Sequence, residues 1–403
     1  VVAREFLFSV SLLALQKPNL EKIMNKQHLI IIIMAFVLAV GGCTTAPEPK
    51  SMPQSLKDLM VFPPPPEPPR FIYERTIRSE ADVVPDAEDD ALRRALTGEK
   101  KRGEALGKPY SVAVHKGRVF VGDTGRRYVM VFDIPEKKFF TFGEEEPGQL
   151  ARPLGMDIDK DGNIFVLDGL AKEIFVFNRD GKFLRKFGDP KDINRPAGLG
   201  VSPDGSRVYA VDIGGSSYET HRIVVYDGNS GERLSEIGKR GDKDGEVNLP
   251  RDVAVDKDGS LYVVDSGNFR VEKFSPDGKF ISKFGSIGRM SGQFSRPKEV
   301  ALDKDGNIYV SDAAFGNFQI FNPKGELLLA VGVRNAKAGP THNMLPAGIA
   351  VDDDGRIYFV DQFFQKVDVY RPIALGPTEG YTTKDMLGKY DPNKDENKEL
   401  YKK

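Results

Sequence analysis

Between Asp157 and Asp168 the chain reads DIDKDGNIFVLD, with carboxylates at the first, third, fifth and twelfth positions and a glycine at the sixth. Calcium loops use that spacing: the oxygens surround one ion and the glycine permits the sharp turn. Yet DKDGS, DKDGN and DDDGR recur further along, and there Asp-Gly supplies the positive φ angles of a tight hairpin. Other chemistries are quickly limited. The one cysteine, Cys43, excludes intrachain disulfides, a cysteine zinc cluster and a CxxCH haem site. Beyond Cys43 no P-loop or GxGxxG fingerprint occurs, and no Ser-His-Asp arrangement suggests itself, so no catalytic residue is assigned.

The elements that must position these residues form an internal repeat. Six times the chain writes a proline, an alternating apolar strand, a Gly turn, a second strand ending in Asp, and a third strand. The second strands are RVFVGD, NIFVLD, RVYAVD, LYVVD, NIYVSD and RIYFVD, ending at Asp123, Asp168, Asp212, Asp265, Asp312 and Asp361. The first five units close with a fourth strand, as in KFLRKFG, KFISKFG and LLLAVG. Four short period-two strands in a repeat of roughly 40–50 residues predict an all-β, six-bladed β-propeller. The sixth unit stops after KVDVYRP, and RFIYERTIR (residues 70–78) is available upstream as its outer strand. That exchange removes an open edge between first and last blades. Residues 79–107 then form a fourth-to-first-strand connection holding a short helix, DAEDDALRRAL.

Comparison among the six units separates structure from function. The strand-end aspartates agree in every copy and read as caps on backbone amides of the following loop. The residues after the prolines do not agree: Tyr110-Ser111, Leu154-Gly155, Ala197-Gly198, Arg251-Asp252, Lys298-Glu299 and Ala347-Gly348. Tyr110, Arg251, Asp252, Lys298 and Glu299 are therefore candidate ligand contacts at the mouth of the channel, or a salt-bridge cluster between blades. Asp157 departs as well, because its counterparts are Ala113, Gly200, Ala254, Ala301 and Ala350. A carboxylate among such small residues is costly unless paired, hydrated or holding an ion. Loops after the second strands carry Tyr218, Phe269, Phe315, Phe318, Phe363 and Phe364, expected as an aromatic rim for a partner. Lys108, Arg152, Arg195 and Arg296 precede their prolines and either make that rim basic or only offset the aspartates below it.

SGQFSRPKEVALDKDGNIYVSD and LPRDVAVDKDGSLYVVDSGNFRVEKF resemble NHL repeats, and the resemblance covers residues 108–372. It implies a propeller whose role varies among scaffolds, receptors and enzymes. NHL-type propellers include a zinc-dependent lyase that uses channel histidines. Here only His115, His221 and His342 fall in the repeats, with His115 at the hairpin end and the others at the opposite end. Gluconolactonase-like propellers hold a divalent ion on channel carboxylates. Asp157, Asp252 and Glu299 could imitate that set, although the surrounding motifs are absent, so a divalent cation is the one cofactor considered.

At the N-terminal side, MNKQHLIIIIMAFVLAVGGC has a lysine, an apolar run from Leu29 to Val40, and Gly41-Gly42-Cys43. The run is too short to span a bilayer and fits a signal-peptide core. VGGC resembles the lipobox of bacterial lipoproteins, whose cysteine carries the lipid; each buried methylene contributes about 0.8 kcal/mol. Thr44, in place of an inner-membrane-retaining aspartate, favours the outer membrane. The expected organisation is an upstream segment read from an early start (1–23), a signal peptide (24–42) and a Pro-rich polyproline II tether (43–69). The closing strand, the connection and the propeller (108–372) follow, with a polar, partly disordered tail from 373 to 403. With 58 basic and 59 acidic residues, no global field attracts nucleic acid. These features predict a monomeric, lipid-anchored envelope protein that binds a protein, peptide or glycan.

Overall fold

The computed structural model describes residues 59–64, 66–85, 96–97, 103–214 and 220–382. Blade one is a four-stranded antiparallel sheet of Pro109–His115, Arg118–Asp123, Tyr128–Asp133 and Lys138–Phe142. Blades two to five repeat this order over 153–187, 196–237, 250–284 and 297–331. Each innermost strand begins at the proline of its repeat: Pro109, Pro153, Pro196, Pro250, Pro297 and Pro346.

Period-two alternation explains the packing. In blade one, Val119 and Val121 face the seam with blade six, while Phe120 faces the seam with blade two. Ile164 and Val166 in blade two face blade one, and Phe165 and Leu167 face blade three. The core is thus six apolar clusters, one per seam. Each large aliphatic or aromatic side chain buried there contributes roughly 1.5–3 kcal/mol.

Every second strand ends in a fully buried aspartate that lies opposite the proline of the first strand. Asp312 shows the arrangement. Its Oδ2 accepts the amides of Ser295 and Arg296 at 2.8 and 3.0 Å, and its Oδ1 accepts those of Ala314 and Phe315 at 2.8 and 3.1 Å. One carboxylate therefore holds the loop it precedes and also the chain entering the blade, a second hold that loop capping alone does not include. The other five aspartates likewise take the amides of Lys108, Arg152, Arg195, Asn248 and Leu345.

In blade six the order from the outside is Val61–Phe62, Phe71–Ile77, Lys366–Pro372, Ile357–Asp361 and Pro346–Val351. Phe71–Ile77 runs antiparallel to Lys366–Pro372, with Ile77 opposite Val367. Arg356 donates to Glu74 at 2.8 Å, Thr76 donates to Asp368 at 2.5 Å, and Ile77 enters the cluster shared by blades six and one.

Two boundaries differ from those expected. Val61–Phe62, within the Pro-rich segment, is a short strand rather than spacer, because Phe62 covers Tyr370 with ring centres 5.8 Å apart. Residues 373–382 pack onto the propeller instead of leaving it: Leu375 and Tyr381 are buried, and the Tyr381 amide donates to Asp354 at 3.1 Å. Cys43, the signal segment, most of the tether, the helix of DAEDDALRRAL apart from Leu96, and the tail beyond 382 lie outside the described residues.

Around the channel the inner strands leave little room. A Cβ on Gly198 would stand 2.6 Å from the Arg251 carbonyl and 2.2 Å from Asp252 Oδ1. Gly198→Ala is expected to destabilise the fold by about 1–3 kcal/mol through overpacking. Chemical denaturation checks this; an unchanged midpoint would contradict so close an approach of blades three and four.

Candidate functional site

The structure splits each charged pair at the channel. Asp252 and Glu299 turn into the wall, whereas Arg251 and Lys298 meet Tyr110 at the loop-bearing end. Asp252 Oδ2 accepts the Val300 amide of blade five at 3.0 Å, and the carboxylate also takes the Leu199 amide of blade three. Glu299 takes the Ile349 amide of blade six. Asp157 Oδ2 accepts the Val201 amide of blade three at 2.7 Å, and its Oδ1 accepts its neighbour Ile158 at 2.8 Å. All three carboxylates therefore tie one blade to the next.

They pay for enclosure in their protonation. Enclosure in the channel wall pushes Asp157 up to about 7, against the pull of its two amide donors. Asp252 is likewise pushed up to about 7, with the charge of Asp157 adding to enclosure. Glu299 rises well above the usual range, through enclosure and then the charge of Asp252. The mutual influence shows that the three groups share one environment.

They line a cavity of about 520 Å³ that runs from Asp252 and Glu299 out to Lys116, Lys160, Lys257 and Lys304 at the hairpin end. Tyr110, Arg251 and Lys298 do not line it. Arg251 Nη2 stands 3.5 Å from Tyr110 Oη, and Lys298 Nζ stands 6.0 Å from the Tyr110 ring centre. Side chains from blades one, four and five thus converge over the axis at the end opposite the cavity.

The calcium-loop spacing does not build a calcium loop. Asp159 accepts the amides of Asp161 and Asn163 at 3.0 and 2.8 Å and the Asn163 side chain at 2.8 Å, which forms the hairpin turn. Asp157 points instead to blade three. Among the described residues no group of three or more His, Cys, Asp or Glu side chains is arranged to hold a metal. His221 Nδ1 accepts the Leu249 amide at 3.1 Å, His342 Nδ1 lies 3.1 Å from the Lys337 carbonyl, and His115 lines the cavity at the other end.

The aromatic rim is smaller than expected. Phe318 is not part of it: the ring is fully buried and packs against Phe359 and Tyr370 at 5.0 and 5.3 Å. It belongs to the third strand, Asn317–Phe321, so strand alternation turns it into the core. Phe363 is 60% exposed and stacks edge-on with half-buried Phe364 at 5.1 Å. Phe269 and Phe315 are half-buried, and Tyr218 lies outside the described residues.

Three residues join the wall that the sequence did not assign to it. Asp352, hidden in the DDDGR turn, accepts the amides of Lys116 and Gly117 in blade one at 3.1 and 2.6 Å. Ser111 Oγ and His115 Nδ1 are buried at the cavity wall with no hydrogen-bond partner among the described residues. Their signal was positional: Ser111 is a hydroxyl where other blades have glycine or an acid, and His115 replaces a turn aspartate.

With this geometry in hand, comparison places the fold among known proteins. Residues 247–274, the first three strands of blade four, match the NHL repeat. The chain carries an NHL repeat and folds as a six-bladed β-propeller. Solved structures similar to this propeller include a gluconolactonase from Xanthomonas campestris, at 14% identity and TM-score 0.52, covering 74% of this chain and 98% of that one. A protein of unknown function from Bacteroides thetaiotaomicron is similar at 14% identity and TM-score 0.54, covering 74% and 75%. A streptogramin B lyase is similar at 13% identity and TM-score 0.49, covering 66% and 94%. At these identities the likeness is one of fold.

The enclosed carboxylates predict a pH dependence of stability. Folded Asp157 keeps its proton up to about pH 7, whereas an unfolded aspartate releases it near pH 4. Between those values the folded state binds the extra proton, so this group's contribution falls as pH rises from about 4 to about 7, then levels off. The slope is on the order of 1 kcal/mol per pH unit. Asp157→Asn should flatten that slope and equal or exceed wild-type stability at pH 8, measured by denaturant titration across the range. A variant much weaker than wild type at pH 8 would show the ionised group to be the stabilising form.

Proposed function

We propose that this protein is a lipid-anchored envelope scaffold whose NHL propeller binds a protein, peptide or glycan through its loop-bearing face. One observation carries the reading: the channel carboxylates are engaged by amides of neighbouring blades, whereas the loop-bearing face presents cations and exposed Phe363 against half-buried Phe364. Exposed aromatic pairs beside positive charge are common partner anchors. The anchor rests on Lys26, the apolar run from Leu29 to Val40 and Gly41-Gly42-Cys43, and an outer-membrane address follows from Thr44.

Crosslinking in intact cells followed by pull-down tests the scaffold. The partner should be recovered in the presence of a chelator and be reduced at least about tenfold by Phe363→Ala combined with Phe315→Ala, the loss of about 1.4 kcal/mol or more at a partner anchor. Undiminished recovery with both rings removed would sink the proposal. Cys43→Ser should move the protein from the membrane fraction to the soluble fraction, and persistence with the membrane would remove the lipid anchor.

A second reading, a metal-dependent lactonase-like or lyase-like enzyme, draws on the three carboxylates gathered around the 520 Å³ cavity. Stoichiometric divalent-ion binding lost on Asp157→Ala or Asp252→Ala would favour it over the scaffold.

A further inference from the structure

Among the described residues, the cations at the loop-bearing end of the channel form no ion pair with a carboxylate. Elsewhere in the propeller three enclosed arginines are paired with carboxylates, Arg118 with Asp133 at 2.6 Å, Arg270 with Asp265 at 2.8 Å, and Arg356 with Glu74 at 2.8 Å, while buried Arg371 donates to the Leu375 carbonyl. Among the described residues, Arg152, Arg251, Arg296 and Lys298 make no ion pair with a carboxylate. Yet these four stand together. Arg152 is close enough for its charge to act on Tyr110, and Arg251 and Arg296 both act on Lys298.

Enclosure first, and then the charge of Arg251, bring Lys298 down to about 8, with Glu299 acting in the opposite sense. Of the nearest carboxylates, Glu299 offsets part of the charge on Lys298, but both Asp252 and Glu299 face the wall, accept amides from other blades and make no ion pair with the cluster. Half-buried cations gathered without a counter-ion are destabilising alone and favourable once an anion arrives. Blades two, three and six place only Leu154, Ala197 and Ala347 at the position held here by Tyr110, Arg251 and Lys298. The two cations and the Tyr110 hydroxyl are therefore confined to three blades that meet over the axis.

We propose that Tyr110, Arg251 and Lys298 form a carboxylate-binding site, and that its natural occupant is an acidic peptide segment of the partner. This rests on the scaffold reading above and names the chemistry by which the partner is recognised. All three groups can donate hydrogen bonds. A guanidinium offers two parallel donors to the two oxygens of a carboxylate, while the ammonium contributes a point charge from the other side. The site lies outside the channel cavity, at a face rather than in a pocket, which suits a chain segment better than an enclosed small molecule. Arg152 and Arg296, both exposed, extend the positive surface on which neighbouring acidic residues would lie, and Phe315 and Phe363 stand on the same face for an apolar flank.

The test is fluorescence anisotropy of the propeller with a labelled glutamate-rich peptide, beside its glutamine counterpart and with inorganic pyrophosphate or a short single-stranded RNA as competitor. The glutamate peptide should bind and the glutamine peptide should not. Arg251→Gln and Lys298→Gln should each weaken binding about tenfold or more, and Tyr110→Phe should weaken it less, with melting temperatures equal to or above wild type. Lys324→Gln, in an exposed turn at the outer edge of blade five, should leave binding unchanged. Equal binding of the two peptides, or wild-type affinity in both Arg251→Gln and Lys298→Gln, would overturn the site. Preferential binding of pyrophosphate or RNA would assign the face to phosphate and overturn the acidic-peptide occupant. Pull-down separates the two levels: a partner retained by Arg251→Gln but lost without Phe315 and Phe363 removes this site and leaves the scaffold standing.

Discussion

The arrangement of every blade depends on one carboxylate at the end of its second strand. A fully buried aspartate cannot leave its oxygens idle, and five of these six collect backbone amides from two separate stretches of chain, while Asp265 pairs one such amide with the Asn268 and Arg270 side chains. One stretch is the loop that follows. The other is the pair of residues just before the proline of the innermost strand. The residues flanking each proline are consequently the best-positioned on the loop-bearing face, and among them stand Arg152, Tyr110, Arg251, Arg296 and Lys298. A structural device repeated six times thus supplies a rigid frame on which non-repeated residues can differ.

Within the channel, similar economy governs the exceptions. Glycine and alanine are favoured on the innermost strands because the neighbouring backbone lies within reach of a single added methyl group. The acids there, Asp157, Asp252 and Glu299, and Asp352 just beyond its strand, each accept an amide from an adjacent blade. Protonation in the neutral range removes most of the cost of placing four carboxylates around one cavity. The wall and the mouth of the channel are therefore different in kind, the wall satisfied by backbone donors and the mouth left cationic.

Much of the fold was legible in the residues. Period-two strands, Asp-Gly turns and the six strand-end aspartates define the blades, and an upstream segment with strand character pairs with the last repeat. Less of the site was legible, for a geometric reason. Adjacent residues on a strand point in opposite directions, so Arg251 and Asp252 look like one charged pair in sequence and act at different levels of the channel. Parity likewise buries Phe318, which a loop reading leaves exposed. The seating of Val61–Phe62 and of Leu375 and Tyr381 depends on apolar surfaces made by distant strands, which no local pattern reports.

Single-amide hydrogen exchange tests the central role of the aspartates most directly. The amides of Lys108, Arg152, Arg195, Asn248, Arg296 and Leu345, each held by a strand-end carboxylate, should exchange only through global unfolding. Exchange at those six positions as fast as in exposed outer turns, such as at Lys324, would contradict a frame built on these carboxylates.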